Sequence, residues 1–401
     1  MSKPIISALI GNAQHPEYGV ATIPFPLSRE EYDHSIEMLS ALEIGDAIKQ
    51  DCRVDAIKSE YPILKRLEGQ TVNVDELDYL AKRLDGFSEG EVAQFQCMAV
   101  KMGTSNIKDF INLTFCCQQV TVITDFSKLE QAGRDHQMNL NGGSMSSAEY
   151  NKIDGHMEAL KLILNEDGYV TPYGVVYDNG MKLEQLYTGG AFPPYLYDTS
   201  PLVLEVLPLS EPEDPESGTL LCLPMTEKQL KRALARGGIE SVDRMRLRQS
   251  LILTQELSRI SVQQESMTDL NEVCEAIVSL DHNDRNKLGA AVTLAQPHSA
   301  SQVKHLAENL ELFEFIPKVR TPEEYGRHMI QESGHFEYDD NLEDFYDFEG
   351  YGRQRMSQEL GKFVTNGYIS YHGFLSLDEV MQDDPAEQYQ KEQGFQMGGM
   401  Q

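Results

Sequence analysis

The chain repeats its own plan, and that repetition constrains the fold more than any other feature. Residues 25–32 (FPLSREEY) and 223–230 (LPMTEKQL), 198 apart, each end a strand with Pro and open a helix by one device. Ser28 and Thr226 stand as N-caps with Glu31 and Gln229 three positions on, the spacing at which side chain and backbone satisfy each other's free donors in a capping box. Leu27 with Tyr32, and Met225 with Leu230, supply the hydrophobic staples that flank such boxes. At a constant offset of 193, Leu77, Leu80, Leu84, Phe87 and Phe95 meet Leu270, Val273, Ile277, Leu280 and Leu288. Ser88 and Asp281 are placed to cap the helices that follow. Ser127 with Glu130, and Thr321 with Glu324, form a third pair of boxes, and GYVTPYG at 168–174 answers GYISYHG at 367–373. Four matched pairs in one order predict a tandem duplication.

The repeat sets the expected boundaries. An N-terminal extension (1–18) precedes unit A (19–176). A connecting segment and a linker rich in Pro and acids fill 177–217, unit B covers 218–375, and the polar end, 376–401, reads as a disordered tail. Asn179-Gly180 within YDNGMKLEQLY looks like a hairpin turn, and the linker from 198 to 217 carries four Pro. Each unit reads as three modules: a strand-and-helix piece (19–66; 218–262), a helical piece closing on a strand (VTVIT at 120–124; FEFIP at 313–317), and a helix-rich piece ending in the GY[VI] strand. Apolar residues three and four apart carry the helical assignments. The fold class is α+β, an elongated chain of two tandem three-module units.

Composition removes whole classes of function. The chain has 401 residues, 64 Asp and Glu against 34 Lys and Arg, and a formal net charge of −30. Such a charge repels nucleic acid and anionic membranes and attracts basic surfaces with a salt-dependent strength. The six cysteines (52, 97, 116, 117, 222 and 274) include no CxxC pair, and the adjacent Cys116 and Cys117 would strain as a disulfide, so they read as reduced thiols in or near cores. IISALIG near the N-terminus is too short for a signal peptide, and no stretch approaches the ~18 apolar residues of a membrane span. A soluble, cytoplasmic protein is expected.

The search for catalytic chemistry finds no phosphate-cradling Gly loop, HExxH or GxSxG. Gly142-Gly143-Ser144 is a turn. DHNDRNKLG at 281–289 has the look of a calcium loop, but Arg285 and Asn286 occupy the positions that need an oxygen ligand and a Gly, and no Glu follows at the twelfth place. His335 and His372 read as surface or core-edge side chains. No enzyme, cofactor or metal is expected.

The acids are clustered. From Glu332 to Glu349 the sequence ESGHFEYDDNLEDFYDFE holds eight carboxylates (Glu332, Glu337, Asp339, Asp340, Glu343, Asp344, Asp347, Glu349), five aromatics and no Lys or Arg. If 340–349 is helical, Leu342, Phe345 and Tyr346 share one face as an anchor, and Asp340, Glu343, Asp344 and Asp347 line the adjoining face. Like charges at that spacing cost a few tenths of a kcal/mol per pair, so the run points to selection for its field; a merely solvated charge run is the plainer reading. B-DNA carries about one negative charge per 1.7 Å of axis, so a net −30 equals the charge of roughly 15 base pairs. A folded, acidic scaffold of this kind could fill the Lys/Arg groove of a DNA-binding enzyme.

TPEEYGRHMIQESGHFEYDDNLEDFYDFEGYGRQRMSQELGKFVTNGYISYHG at 321–373 resembles the C-terminal segment of the ArdA antirestriction proteins of conjugative plasmids and transposons. VNVDELDYLAKRLDGFSEGEVAQF and IKDFINLTF (107–115) resemble that family's middle domain, and GVATIPFPLSREEY its first. The resemblance implies three small domains per unit, mimicry of B-DNA and inhibition of type I restriction–modification enzymes, with the eight carboxylates as contact residues and no direct binding of nucleic acid. Family members pair as dimers of single units; here two units in one chain imply a pseudo-dimer, with a further homodimer open. Unit A departs from the pattern, because 136–154 (HQMNLNGGSMSSAEYNKID) holds only Glu149 and Asp154 as its acids. An acidic module for another basic partner, such as a conjugation or nucleoid protein, is the alternative.

Overall fold

The computed structural model describes residues 3–209, 218–333 and 337–382, so His335, residues 210–217 of the expected linker and the tail beyond 382 lie outside the described residues. The fold is mixed α+β, built on four small antiparallel sheets. The chain divides into two compact units, one of residues 1–198, 206–220 and 226–246 and the other of 199–205, 221–225 and 247–401.

The first sheet has the order β2-β1-β3-β4, from β1 (Ile6–Asn12), β2 (Val20–Phe25), β3 (Cys52–Ser59) and β4 (Thr71–Val72), with α1 (Arg29–Ala41) between β2 and β3. β1, expected within an extension, is therefore a central strand: Ile6, Ala8 and Ile10 alternate inward at 0% exposure. Helices α2 (Val74–Asp85), α3 (Glu89–Met102) and α4 (Ile107–Leu113) follow, started by the side chains of Asn73, Ser88 and Asn106. Leu77, Leu80 and Leu84 are buried, as their spacing predicts. One continuous core runs from Ile6 through Leu84 and Phe110 to Val176, so the first two modules are not separate domains. The second sheet of this unit, β5-β7-β6, comprises β5 (Thr121–Ile123), β6 (Tyr169–Thr171) and β7 (Gly174–Tyr177), with α5 (Leu129–Leu140), α6 (Ser147–Tyr150) and α7 (Gly155–Asn165) inserted after β5. Ser127 does not cap α5. The Asp125 carboxylate takes the Ser127 N–H at 2.9 Å, makes a 3-10 turn there, and delays the helix to Leu129.

Residues 178–198 are no plain connector. Asn179 and Gly180 both take positive φ, as a tight turn requires, but no strand follows it. The segment instead straps the second module: the Phe192 ring stacks on Tyr79 at 4.4 Å, Tyr187 is 1% exposed, and the Tyr195 hydroxyl donates to Lys82 O at 3.1 Å.

The next sheet, β10-β8-β9, comprises β8 (Leu202–Pro208), β9 (Thr219–Leu223) and β10 (Met245–Ile252), with α8 (Glu227–Arg236) between β9 and β10. β8 falls where the linker was expected; its run of apolar residues is buried almost throughout. The layout repeats β2-β1-β3, with the first strand central and one helix after the second strand. Thr226 forms the full capping box with Gln229. In the first unit α8 lies beside α1 and sends two arginines, one turn apart, to the start of α2. Arg232 holds Asp75 Oδ2 through Nε (3.1 Å) and Nη2 (2.8 Å), while the Tyr32 hydroxyl donates to Asp75 Oδ1 at 2.8 Å. Arg236 donates to Ala47 O and to the N-cap oxygen of Asn73, each at 2.9 Å, and its guanidinium lies 4.1 Å from the Phe192 ring.

In the second unit α9 (Met267–Ser279), α10 (His282–Ala295) and α11 (Ala300–Glu308) precede a sheet of order β11-β13-β12, from β11 (Phe313–Pro317), β12 (Leu360–Val364) and β13 (Gly367–Tyr371). Asp281 caps α10 as expected, its oxygen accepting from Asp284 N. α12 (Pro322–Gln331) and α13 (Phe348–Met356) follow β11, and α14 (Leu377–Val380) closes the described chain. Thr321 caps α12. Five of the six thiols are buried; Cys222 is half-buried.

The third modules match register for register at the offset of 193. Ile123 pairs with Val175, and Ile316 with Tyr368; Gly174 and Gly367 each press against the carbonyl of that isoleucine. The counterpart of GYISY is therefore GVVY on β7, six residues beyond the GYVT string chosen from sequence. A second correspondence joins the modules upstream: Leu27 N donates to Asp78 Oδ1 at 2.7 Å, and Met225 N to Asn271 Oδ1 at the same distance.

Candidate functional site

The clustered acids occupy the stretch between α12 and α13 and the first turn of α13. These two helices cross at contact distance because each puts glycine at the crossing. A Cβ on Gly326 would stand 1.9 Å from Phe348 O, and one on Gly352 would stand 1.9 Å from Pro322 O. The crossing fixes both ends of the acidic stretch and leaves its middle in solvent.

The middle is not the α-helix expected over 340–349. Asp340–Phe345 form a 3-10 helix, Tyr346 is extended, and α13 begins at Phe348. An aspartate starts each piece. Asp339 accepts from Asn341 N (2.9 Å) and starts the 3-10 turn; Asp347 accepts from Gly350 N (2.8 Å) and starts α13. Asp339 takes a donor that is free at any helix start, whereas Asp347 takes the Gly350 N–H that a continuous helix would have bonded to Tyr346 O, so two short helices replace one.

The predicted anchor fails with the helix. Leu342 is 47% exposed and Phe345 84%, so neither packs on the module. Tyr346 alone of the three anchors the stretch, its ring packing at a tilt against Tyr338 (5.3 Å) and Phe348 (5.7 Å). Phe348 in turn lies 4.3 Å beneath the Arg327 guanidinium. Each aromatic pair of this kind contributes about 0.5–1.5 kcal/mol beyond area burial.

All eight carboxylates, Glu332, Glu337, Asp339, Asp340, Glu343, Asp344, Asp347 and Glu349, are solvent-exposed. They are not equally free. Arg327, on α12, pairs with Glu343; Arg353 Nη2 lies 2.6 Å from Glu349; His328 Nδ1 lies 2.8 Å from Glu332. Glu343 raises the Arg327 pKa by accepting its hydrogen bond. Exposed pairs contribute at most about 1 kcal/mol and leave the carboxylates accessible. Among the described residues Glu337, Asp340 and Asp344 meet no basic side chain. The basic partners escaped notice because they flank the run rather than interrupt it, although Glu349 and Arg353 stand at i,i+4 in the sequence.

The matching place in the other third module is built differently. The stretch between α5 and α7 carries Glu149 and Asp154, and both are spent on caps: Glu149 closes a box with Ser146, and Asp154 accepts from Met157 N. Its helices cross on Gly133 and Gly155, and exposed side chains around it include Leu140 (54%) and Leu164 (80%). His372, just past β13, the central strand of the β11-β13-β12 sheet, is exposed and bonds the Ser370 hydroxyl at 2.8 Å. Among the described residues no three His, Cys, Asp or Glu side chains gather closely enough to hold a metal ion, and no helix is long and apolar enough to cross a membrane.

Residues 216–370 match the family model described as "Antirestriction protein (ArdA)". That span begins after β8 and covers β9, α8, β10, the three helices after them and the whole of the acidic stretch. No curated protein matches the chain.

Proposed function

We propose that this chain, which carries an ArdA family segment over residues 216–370, is a non-enzymatic DNA mimic that inhibits type I restriction–modification enzymes by filling their DNA-binding groove. The observation that supports this most is that eight carboxylates stand exposed on one short stretch within the matched span, held at both ends by the glycine crossing of α12 and α13. Carboxylates presented without interleaved cations attract the Lys and Arg side chains that otherwise hold phosphates, and release counterions from them as DNA does. The inhibitor acts in the cytoplasm and needs no cofactor.

The reading includes the duplication. The two halves are copies of one unit, and the α8 arginines, which reach Asp75 and Asn73, hold the second copy's first module against the first copy. Such a chain is a pseudo-dimer in which the second copy is always present at high effective concentration.

Competition tests the function. Purified protein added to a type I enzyme should raise the DNA concentration needed for binding and cleavage, and excess DNA should restore both. Log inhibition constant against log salt should be linear and steep. Inhibition that ignores salt or excess DNA rejects the mechanism. Tight binding to some other basic protein with no effect on the restriction enzyme favours an acidic module of another kind.

A further inference from the structure

We infer that Phe345 and Leu342 form an apolar anchor that enters a non-polar recess in the partner's cationic groove, so that affinity and charge attraction come from different side chains. The inference rests on the DNA-mimic reading and concerns what that partner must contain.

A 3-10 helix has three residues per turn, so residues three apart eclipse one another. Over Asp340–Phe345 this sorts the side chains into three rows: Asp340 with Glu343, Asn341 with Asp344, and Leu342 with Phe345. The apolar row thus runs between two rows that carry acids. Among the described residues little covers it, for Phe345 is 84% and Leu342 47% exposed. The aromatics that hold the stretch in place are others, Tyr338, Tyr346 and Phe348. An exposed phenyl ring adds nothing to a copy of a phosphate backbone and weakens solubility. Its place in the acidic stretch is intelligible if it is buried on binding.

The flanking rows define the occupant. A neutral apolar surface would leave Asp340 and Asp344 desolvated without partners, which is costly. A partner must therefore pair apolar contact with neighbouring Lys or Arg. Grooves that bind DNA meet this description, since walls that grip phosphates adjoin apolar contacts to thymine methyl groups and base edges. The ring takes the place of a base and the carboxylates the places of phosphates. Binding energy in such interfaces concentrates in a few buried aromatic anchors ringed by polar contacts.

The test measures inhibition of a type I enzyme's DNA binding by the full chain across a salt series. Phe345→Ala should weaken inhibition roughly tenfold to a hundredfold at every salt concentration, the loss expected for one buried phenyl ring, with the log–log salt slope unchanged. Asp340→Asn with Asp344→Asn should do the reverse, lowering the slope. Phe345→Leu should recover part of the loss. Circular dichroism and melting temperature should match the parent, because the ring supports nothing in the fold. Parent-like inhibition by Phe345→Ala overturns the anchor and leaves the DNA-mimic reading standing. A changed slope for Phe345→Ala overturns it too, as does an effect confined to self-association in light scattering, which would assign the ring to a second copy of the chain. If the parent protein itself fails to inhibit, the mimic reading falls and the anchor with it.

Discussion

Arg232 clasps Asp75 with two nitrogens on one carboxylate oxygen, Nε at 3.1 Å and Nη2 at 2.8 Å, while Tyr32 donates to the other oxygen at 2.8 Å. Both side chains are about nine-tenths buried. The contact joins residues that stand 157 apart in sequence, and neither makes sense without the other. A buried pair gains little over apolar packing, but removing one member strands the other's charge.

Arg232→Met should therefore destabilise the protein by about 3–5 kcal/mol, read as a lowered urea midpoint of the first unfolding transition. The double variant Arg232→Met with Asp75→Leu should recover most of that loss. If the double variant is as unstable as the single, the stranded-charge account is wrong.

The glycine crossing predicts a contrast within one kind of substitution. Gly352→Ala would place a methyl group 1.9 Å from Pro322 O, so the helices must part, at a cost of about 1–3 kcal/mol or more. Gly289 lies inside α10, where an added Cβ meets only Glu256 Oε1 at 3.8 Å; Gly289→Ala should stabilise by roughly 0.5–1 kcal/mol through helix propensity. Thermal melts of the two variants should move in opposite directions.

Burial lowers the pKa of His136, whose Nδ1 lies 2.9 Å from Thr121 Oγ1; Glu158 and Glu166 oppose the shift. The folded form therefore holds this proton less tightly than the unfolded chain does. The contribution to stability is complete above the ordinary value of 6.5 and is lost as pH falls through the window below it. Between pH 7 and pH 5 the parent's melting temperature should fall more than that of His136→Gln. Parallel curves for the two proteins would refute the assignment.

Neutralising the acidic stretch should divide its members by role. Glu337→Gln, Asp340→Asn and Asp344→Asn together should weaken inhibition and reduce the salt slope by about 0.9 for each charge that meets a cationic partner, with stability unchanged or slightly raised. Asp347→Ala should instead cost about 1 kcal/mol, because its carboxylate accepts the Gly350 N–H at the start of α13. A triple variant that inhibits like the parent removes this stretch from the contact surface.

Helix starts were the most legible part of the sequence. Ser88, Thr226, Asp281 and Thr321 all cap where their spacing puts them, because capping is a local exchange of hydrogen bonds. Ser127 failed for an equally local reason, the competing carboxylate two residues before it. The match of GYISY with GYVT followed letters, whereas sheet register obeys strand order, which no short string contains. The strap of 178–198 was illegible because its aromatics lack periodicity and find Tyr79 only in three dimensions. Within the acidic stretch the carboxylates and their exposure could be read directly. The break at Tyr346 could not, because it depends on Asp347 winning the Gly350 N–H from a helix that the pattern of apolar residues favoured.

The paired glycines have a last consequence. In both third modules the helices meet backbone to backbone, so the crossing itself is made by the helices and not by the residues that join them, 141–154 in one and 332–347 in the other. The exposed side chains of the connector can therefore change their charge while the hinge pin beneath them stays in place. One module fills that slot with two carboxylates and the other with seven. One framework in this way carries two differently charged faces.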